Sequence, residues 1–296
     1  MQVVLAFFAI YSIWGSTYLA IRFAIETLPP FLMAAVRFLS AGAVLYGWTR
    51  FRGATRPTLA NWRAATIVGA LLLLVYNGGV VNAEQVIPSG LTAVLVTTVP
   101  IWIAFVEVLQ RERVVPSKQT ILGIALGFGG VAFLVGPVSI VGSSDANASW
   151  AGVVVLVSLA WAFGSVYSRK ASLPKDPLRA TGMEMLAGGV LLLLASLISN
   201  EWTGFKPGNV SILSLVSLLY LIVPGSLIAF SSYMWLLTKT TTTKASTHTY
   251  VNPVVAVFIG FLLGSEPITA RTLVALSIIV CAVVVINTYK KTARDS

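Results

Sequence analysis

The chain has 296 residues, of which 57% are hydrophobic and only 10% charged, and its mean hydropathy is +0.88. A soluble domain usually carries roughly 25% charged residues, so this chain lacks the polar surface needed to fold in water. The net charge of +10 invites a nucleic-acid reading, but no stretch is left over for the folded basic domain that such binding requires.

Taken in chain order, ten apolar stretches stand out, at about 3–25, 31–49, 62–82, 88–109, 118–136, 150–168, 180–199, 211–236, 246–264 and 270–289. A hydrocarbon core roughly 30 Å thick needs roughly 20 apolar residues per helix. Unpaired backbone groups are too costly in lipid for open strands. The expected fold class is therefore an all-α integral membrane protein with ten transmembrane helices. Span 1 has no Lys or Arg ahead of its apolar run and is too long for a signal peptide, so it is read as a retained helix. Span 3 carries Asn77-Gly78-Gly79, span 4 Pro100, span 8 Pro224-Gly225 and span 9 Pro253. Proline removes an i→i−4 hydrogen bond and weakens its helix at that turn. Gly78, Gly79, Pro100, Pro224 and Pro253 are thus candidate hinges. Gly123-x-x-x-Gly127 and Gly260-x-x-x-Gly264 permit close helix approach; packing within a monomer is the expected use, dimerisation the alternative.

Place the N-terminus in the cytoplasm and the basic residues segregate. Arg50, Arg52, Arg56, Arg63, Arg111, Arg113, Lys118, Arg169, Lys170, Lys175, Arg179, Lys239, Lys244, Lys290, Lys291 and Arg294 fall on one side; Arg22, Lys206 and Arg271 fall on the other. This positive-inside bias predicts a multi-pass protein with both termini cytoplasmic. Arg37, Glu107 and Glu184 remain inside spans, which makes them functional suspects. Both glutamates are expected near the cytoplasmic ends of their spans, within reach of water, and Arg37 is expected to snorkel or pair. The single cysteine, Cys281, excludes a disulfide framework and a cysteine metal site and reads as a small buried apolar residue.

The two halves repeat. Trp14-Gly15-Ser16-Thr17-Tyr18 is answered by Phe163-Gly164-Ser165-Val166-Tyr167, Phe38-Leu39-Ser40-Ala41-Gly42 by Met185-Leu186-Ala187-Gly188-Gly189, and Val99-Pro100-Ile101 by Asn252-Pro253-Val254. The turn-rich segment from Gly136 to Asn147 separates them. Five spans per half force the second half into the membrane the other way up, and two inverted five-helix repeats around a central site are the architecture of a secondary transporter.

Trp14-Gly15-Ser16-x-Tyr18, Arg37-Phe38, and the run from Ser89-Gly90-Leu91-Thr92-Ala93-Val94-Leu95 to Pro100 with Glu112 after it resemble an EamA domain. The whole chain is similar to tandem-EamA members of the drug/metabolite transporter superfamily, with a first repeat over 1–140 and a second over 148–291. Glu184 stands where the first repeat has Arg37, so that position keeps no common charge. The resemblance implies ten helices, no bound cofactor, residence in a bacterial inner membrane and transport of small metabolites, most like the bacterial exporters of aromatic amino acids.

The hinge-bearing spans supply the candidate substrate contacts. These are Tyr76, Asn77 and Asn82 in span 3, Thr98 and Trp102 in span 4, Ser232 and Tyr233 in span 8, and His248, Tyr250 and Asn252 in span 9. Trp14 and Trp161 close the sides. Aromatic faces with neutral hydrogen-bonding groups suit a zwitterion with an apolar side chain. One His and scattered carboxylates hold no metal and give no midplane carboxylate pair for obligatory proton antiport. A sugar-phosphate or nucleotide-sugar carrier is the alternative, and it requires basic residues around its cargo. An intramembrane hydrolase using Ser226 and His248 is the remaining alternative; it lacks a G-x-S-x-G frame and leaves the repeat unexplained.

Overall fold

Helices begin where capping chemistry favours a start. Pro30 opens the second helix at its first position, where its missing N–H is no loss. In the computed structural model, which describes residues 2–87, 89–109, 117–135, 145–264 and 270–288, α1 spans Gln2–Ala24 and α2 spans Pro30–Phe51. The Glu201 carboxylate supplies the cap of α2 from the other half of the chain, accepting from the N–H groups of Phe31 at 3.0 Å and Leu32 at 2.9 Å. Helix α3 (Leu59–Ala83) starts at a Thr58–Asn61 capping box, which satisfies two orphan donors reciprocally. There follow α4 (Ser89–Leu95), α5 (Val99–Leu109), α6 (Lys118–Val135) and α7 (Asp145–Ser168). Helix α8 (Pro177–Ile198) repeats the α2 device, with Pro177 first and the Asp176 side chain accepting from Leu178 N–H. Last come α9 (Ile212–Lys239), the short α10 (Thr242–Ala245), α11 (His248–Gly264) and α12 (Ala270–Thr288). All secondary structure among the described residues is helical.

Among the described residues, six helices are long and apolar enough to cross a membrane: α1, α2, α3, α8, α9, and α7 from Ser149 onward. Val96–Leu109 and Leu273–Ile286 are shorter apolar stretches. The surface is apolar and the interior is dotted with hydroxyls: Phe51, Ile198 and Ile212 are over 80% exposed, whereas Ser158, Ser165, Thr181, Ser226 and Thr242 are buried. That inversion belongs to a protein whose solvent is lipid. Cys281, expected inside, lies exposed on α12, because its face of the helix turns outward to an apolar surroundings rather than into the core. Glu184, expected to reach water, is fully buried with both carboxylate oxygens unpartnered, since α8 presents it to the interior between packed helices.

The packing partner of α2 is above all α8. A Cβ on Gly42 would meet Leu186 N at 2.8 Å, and one on Gly189 would meet Leu39 N at 3.0 Å. The two matched segments, Phe38–Gly42 and Met185–Gly189, therefore pack on each other. Small residues let the backbones approach, as membrane helix pairs require.

Two pairs of backbone irregularities recur about 150 residues apart. A π segment occupies Ala70–Asn77 in α3, and another occupies Leu221–Phe230 in α9 around Pro224. A 3₁₀ turn at Val96–Thr98 precedes Pro100. Before Pro253, Thr247, Thr249 and Tyr250 donate to carbonyls three residues back, and α10 and α11 are separated there. Proline cannot donate to the carbonyl four residues earlier, so the preceding turn tightens. Arg111, Glu112, Arg113 and Pro116, the midpoint turn at 136–144, Pro267 and Lys290, Lys291 and Arg294 lie outside the described residues.

Candidate functional site

A cavity lies where α1, α2, α3, α7, α9 and α11 converge. Its free volume is about 50 Å³, room for a few waters and too little for an aromatic side chain in this conformation. Helix α1 contributes Trp14, Thr17, Tyr18 and Ile21, three to four residues apart and so on one face. Arg37 and Phe38 come from α2, and Leu73, Tyr76, Asn77 and Val80 from the π segment of α3 and the turn after it. The second half supplies Trp161, Phe230, His248 and Asn252.

Part of the cavity wall is a cluster of rings. Trp14 meets Trp161 edge to face at 5.6 Å and the His248 imidazole at 4.7 Å. Tyr76 lies 4.5 Å from Trp161. Behind them Tyr233 accepts from Trp161 Nε1 at 3.0 Å and pairs with Ser165 Oγ at 2.8 Å. Such tilted and edge-on pairs each stabilise by about 0.5–1.5 kcal/mol beyond area burial. The Trp14 indole N–H donates to the carbonyl of Gly225 at 3.2 Å, tying α1 to the π segment of α9. His248 Nδ1 is bonded to the Ala245 carbonyl at 3.0 Å.

The polar groups are less completely satisfied. Arg37, 3% exposed, donates from Nε to Ser226 Oγ at 2.8 Å, and Ser226 Oγ donates to the Leu221 carbonyl at 2.9 Å. Arg37 Nη1, Asn77 Oδ1 and Asn252 Oδ1 are buried with no partner. Tyr18 interacts with the side chains of Tyr76 and Asn252. Just past the end of α3, Glu84 is fully buried with both carboxylate oxygens free of hydrogen bonds, while Arg22 donates to its main-chain carbonyl at 2.8 Å. Burial pushes the Glu84 carboxyl well above the ordinary range, and the nearby Arg22 charge pulls the other way. Among the described residues no group of His, Cys, Asp and Glu forms a metal site.

Of the candidate contacts, Trp14, Tyr76, Asn77, Trp161, His248 and Asn252 line this cavity, and Tyr233 stands directly behind its ring cluster. The others lie elsewhere. Asn82 bonds the Gly78 carbonyl, Thr98 bonds the Leu95 carbonyl, and half-buried Ser232 is two residues past the π segment. Trp102 packs beside Phe105, and Tyr250 is buried with Ile279 and Ile286. Among the hinges, Pro224 lies within a π segment, Gly78 and Gly79 directly follow the other, and Pro100 and Pro253 follow the 3₁₀ turns. Sequence reasoning flagged Arg37 only as a charge; Thr17, Tyr18, Phe38 and Phe230 it did not select. For Thr17 and Tyr18 a signal was present in the three- and four-residue spacing from Trp14; Phe38 and Phe230, on other helices, had none of that kind. No hydrogen bond joins Ser226 to His248 among the described residues, since each is committed to a different backbone carbonyl.

Known proteins place this arrangement. The EamA-like transporter family matches residues 1–136 and 148–288. The uncharacterized inner membrane transporter YedA of Escherichia coli (strain K12) is 40% identical over 287 residues, covering 95% of this chain and 89% of that protein. Protein PecM of Dickeya dadantii (strain 3937) is 26% identical, covering 95% of this chain and 91% of its own length. The uncharacterized transporter YoaV of Bacillus subtilis (strain 168) is 26% identical over 99% of both chains. A solved structure described as "Crystal structure of protein" superposes with a TM-score of 0.75 at 19% identity, covering 97% of each chain, a likeness of fold alone. A family match over both halves, with a transporter 40% identical along nearly the whole chain, makes this chain a membrane transporter belonging to the EamA-like transporter family.

Proposed function

We propose that the protein is a secondary carrier that exports amino acids, above all aromatic or other apolar ones, by alternating access. Its two units, 1–140 and 148–291, are ten spans in all, inverted relative to one another in a bacterial inner membrane, with both termini in the cytoplasm. The cavity carries this reading: rings from both halves meet Asn77 and Asn252, each with a buried, unpartnered carbonyl oxygen. Carbonyl acceptors suit an ammonium, and ring faces suit an apolar or aromatic side chain.

With free volume of only about 50 Å³, loading must widen the cavity. The π segments of α3 and α9 border it, and such segments are backbone turns with alternative hydrogen-bonding registers. Their movement, assisted by the turns before Pro100 and Pro253, is the proposed gate. Counterflow in liposomes with a panel of amino acids, run with and without a pH gradient, tests this. Accelerated exchange of phenylalanine, tryptophan or leucine supports the reading. Exchange of sugar phosphates alone would replace it with the phosphorylated-cargo carrier.

A further inference from the structure

We propose that Arg37 is the residue that holds the cargo, taking a carboxylate on its free guanidinium edge, so that substrates of this carrier bear an ionised carboxyl group. The inference deepens the amino-acid reading above and rests on it for the identity of the cavity.

A guanidinium is always charged in ordinary proteins and presents five donors in a planar fork. Here Ser226 takes Nε, while Nη1 has no partner. Among the described residues no carboxylate pairs with it. The guanidinium carbon Cζ lies 4.7 Å from the Phe38 ring centroid, and a Cβ on Gly225 would come within 3.3 Å of Nη2. An isolated cation out of water is expensive, and buried cations are ordinarily paired. A membrane protein that keeps one beside a cavity, aimed by a hydroxyl and left without a resident counter-ion, has a place for an anion that comes and goes.

The remaining orphans define which anion. Asn77 Oδ1 and Asn252 Oδ1 are acceptors on the same cavity. One donor fork and two neutral acceptors match a group with one negative and one positive end. A phosphate dianion would leave a second charge unmatched and place its oxygens near the carbonyl acceptors. The grip is also tied to the gate. Ser226, which orients Arg37, sits in the π segment of α9 and bonds the carbonyl five residues back, so a shift of register there re-aims the guanidinium.

The test uses the full chain in lipid nanodiscs and calorimetry. Its probes are L-phenylalanine, L-leucine and L-threonine, each against its carboxamide, with phenylpropionate and glucose 6-phosphate. An amino acid should bind roughly 10- to 100-fold more tightly than its amide, the usual worth of a charge-assisted hydrogen bond. Arg37→Gln should lower acid binding far more than amide binding and so erase that discrimination, and Arg37→Lys should keep part of it. A merely structural arginine would weaken acid and amide alike. If Arg37→Gln does not fold, Ser226→Ala, which removes the aiming hydroxyl, should narrow the ratio in the same direction. Equal binding of acid and amide, or discrimination surviving in Arg37→Gln or undiminished in Ser226→Ala, overturns the inference while the amino-acid reading stands. Arg37-dependent binding of phenylpropionate without any amino acid sinks the amino-acid reading and upholds the role of Arg37. Binding of glucose 6-phosphate alone, or of no probe, overturns both.

Discussion

Trp14 and Trp161 meet edge to face with ring centroids 5.6 Å apart at 77°. They come from the first helix of each half, about 150 residues apart in sequence, and both line the cavity. Trp14 also reaches the Gly225 carbonyl, and Trp161 the Tyr233 hydroxyl. Each ring therefore joins the wall of the cavity to α9.

Trp14→Phe keeps a ring but deletes the donor to Gly225. Losing a buried hydrogen bond costs about 0.5–1.5 kcal/mol, so the melting temperature in detergent should fall by a few degrees. An unchanged melting temperature would show that the carbonyl finds another donor.

Trp161→Ala removes the ring that touches Trp14, Tyr76 and Tyr233. Transport of aromatic cargo should drop by more than the loss of folded protein. Trp102→Ala, at a half-buried ring beside Phe105, should act more weakly. Counterflow normalised to monodisperse protein separates the two, and a stronger effect at Trp102 would move the cargo site toward α5.

Gly42 and Gly188 hold backbones together across the two halves. A Cβ on Gly42 would lie 2.8 Å from Leu186 N, and one on Gly188 would lie 2.9 Å from Gly69 O. Neither contact can be relieved by turning a flexible side chain. Gly42→Val and Gly188→Val should each destabilise by about 1–3 kcal/mol or more, read as lost monodisperse yield. Gly47→Val, where a Cβ meets nothing, should be tolerated.

Pro224→Ala restores a backbone donor within the π segment of α9. A regular helix then becomes more favourable there, so turnover should fall several-fold while folded yield holds or rises. Turnover equal to the parent protein would argue that this segment stays fixed during transport.

Glu84 gives the pH dependence a sign. Its carboxyl is held above its ordinary value of 4.5 by burial, against the pull of Arg22, with Tyr18 and Tyr76 nearby. The stabilising form is the neutral acid, so its contribution is complete below pH 4.5 and is lost as pH rises through the elevated folded-state value. Melting temperature should fall with rising pH in the parent and less steeply in Glu84→Gln. Parallel profiles would show that another group governs stability.

The helical membrane character was legible because a bilayer demands long apolar runs, and the predicted stretch at 31–49, for example, became Pro30–Phe51. The irregular turn at Pro224 was legible for a similar reason: proline cannot donate a backbone hydrogen bond, whatever surrounds it. The surroundings of Arg37 were not. Whether an intramembrane arginine snorkels, pairs or waits for a ligand depends on what faces it, and Ser226 faces it from 189 residues away.

Sequence by itself determined the lipid-facing composition, the helix starts, the soft turns and the two-fold recurrence of motifs, since these follow from hydrophobic length and local backbone chemistry. Only the tertiary structure decided that Gly42 packs against α8, that Trp14 and Trp161 touch, and that Tyr250 is turned away from the cavity occupied by its near neighbour Asn252. Two residues apart on a helix point about 200° apart, and which direction is inward is set by the helices that pack against it.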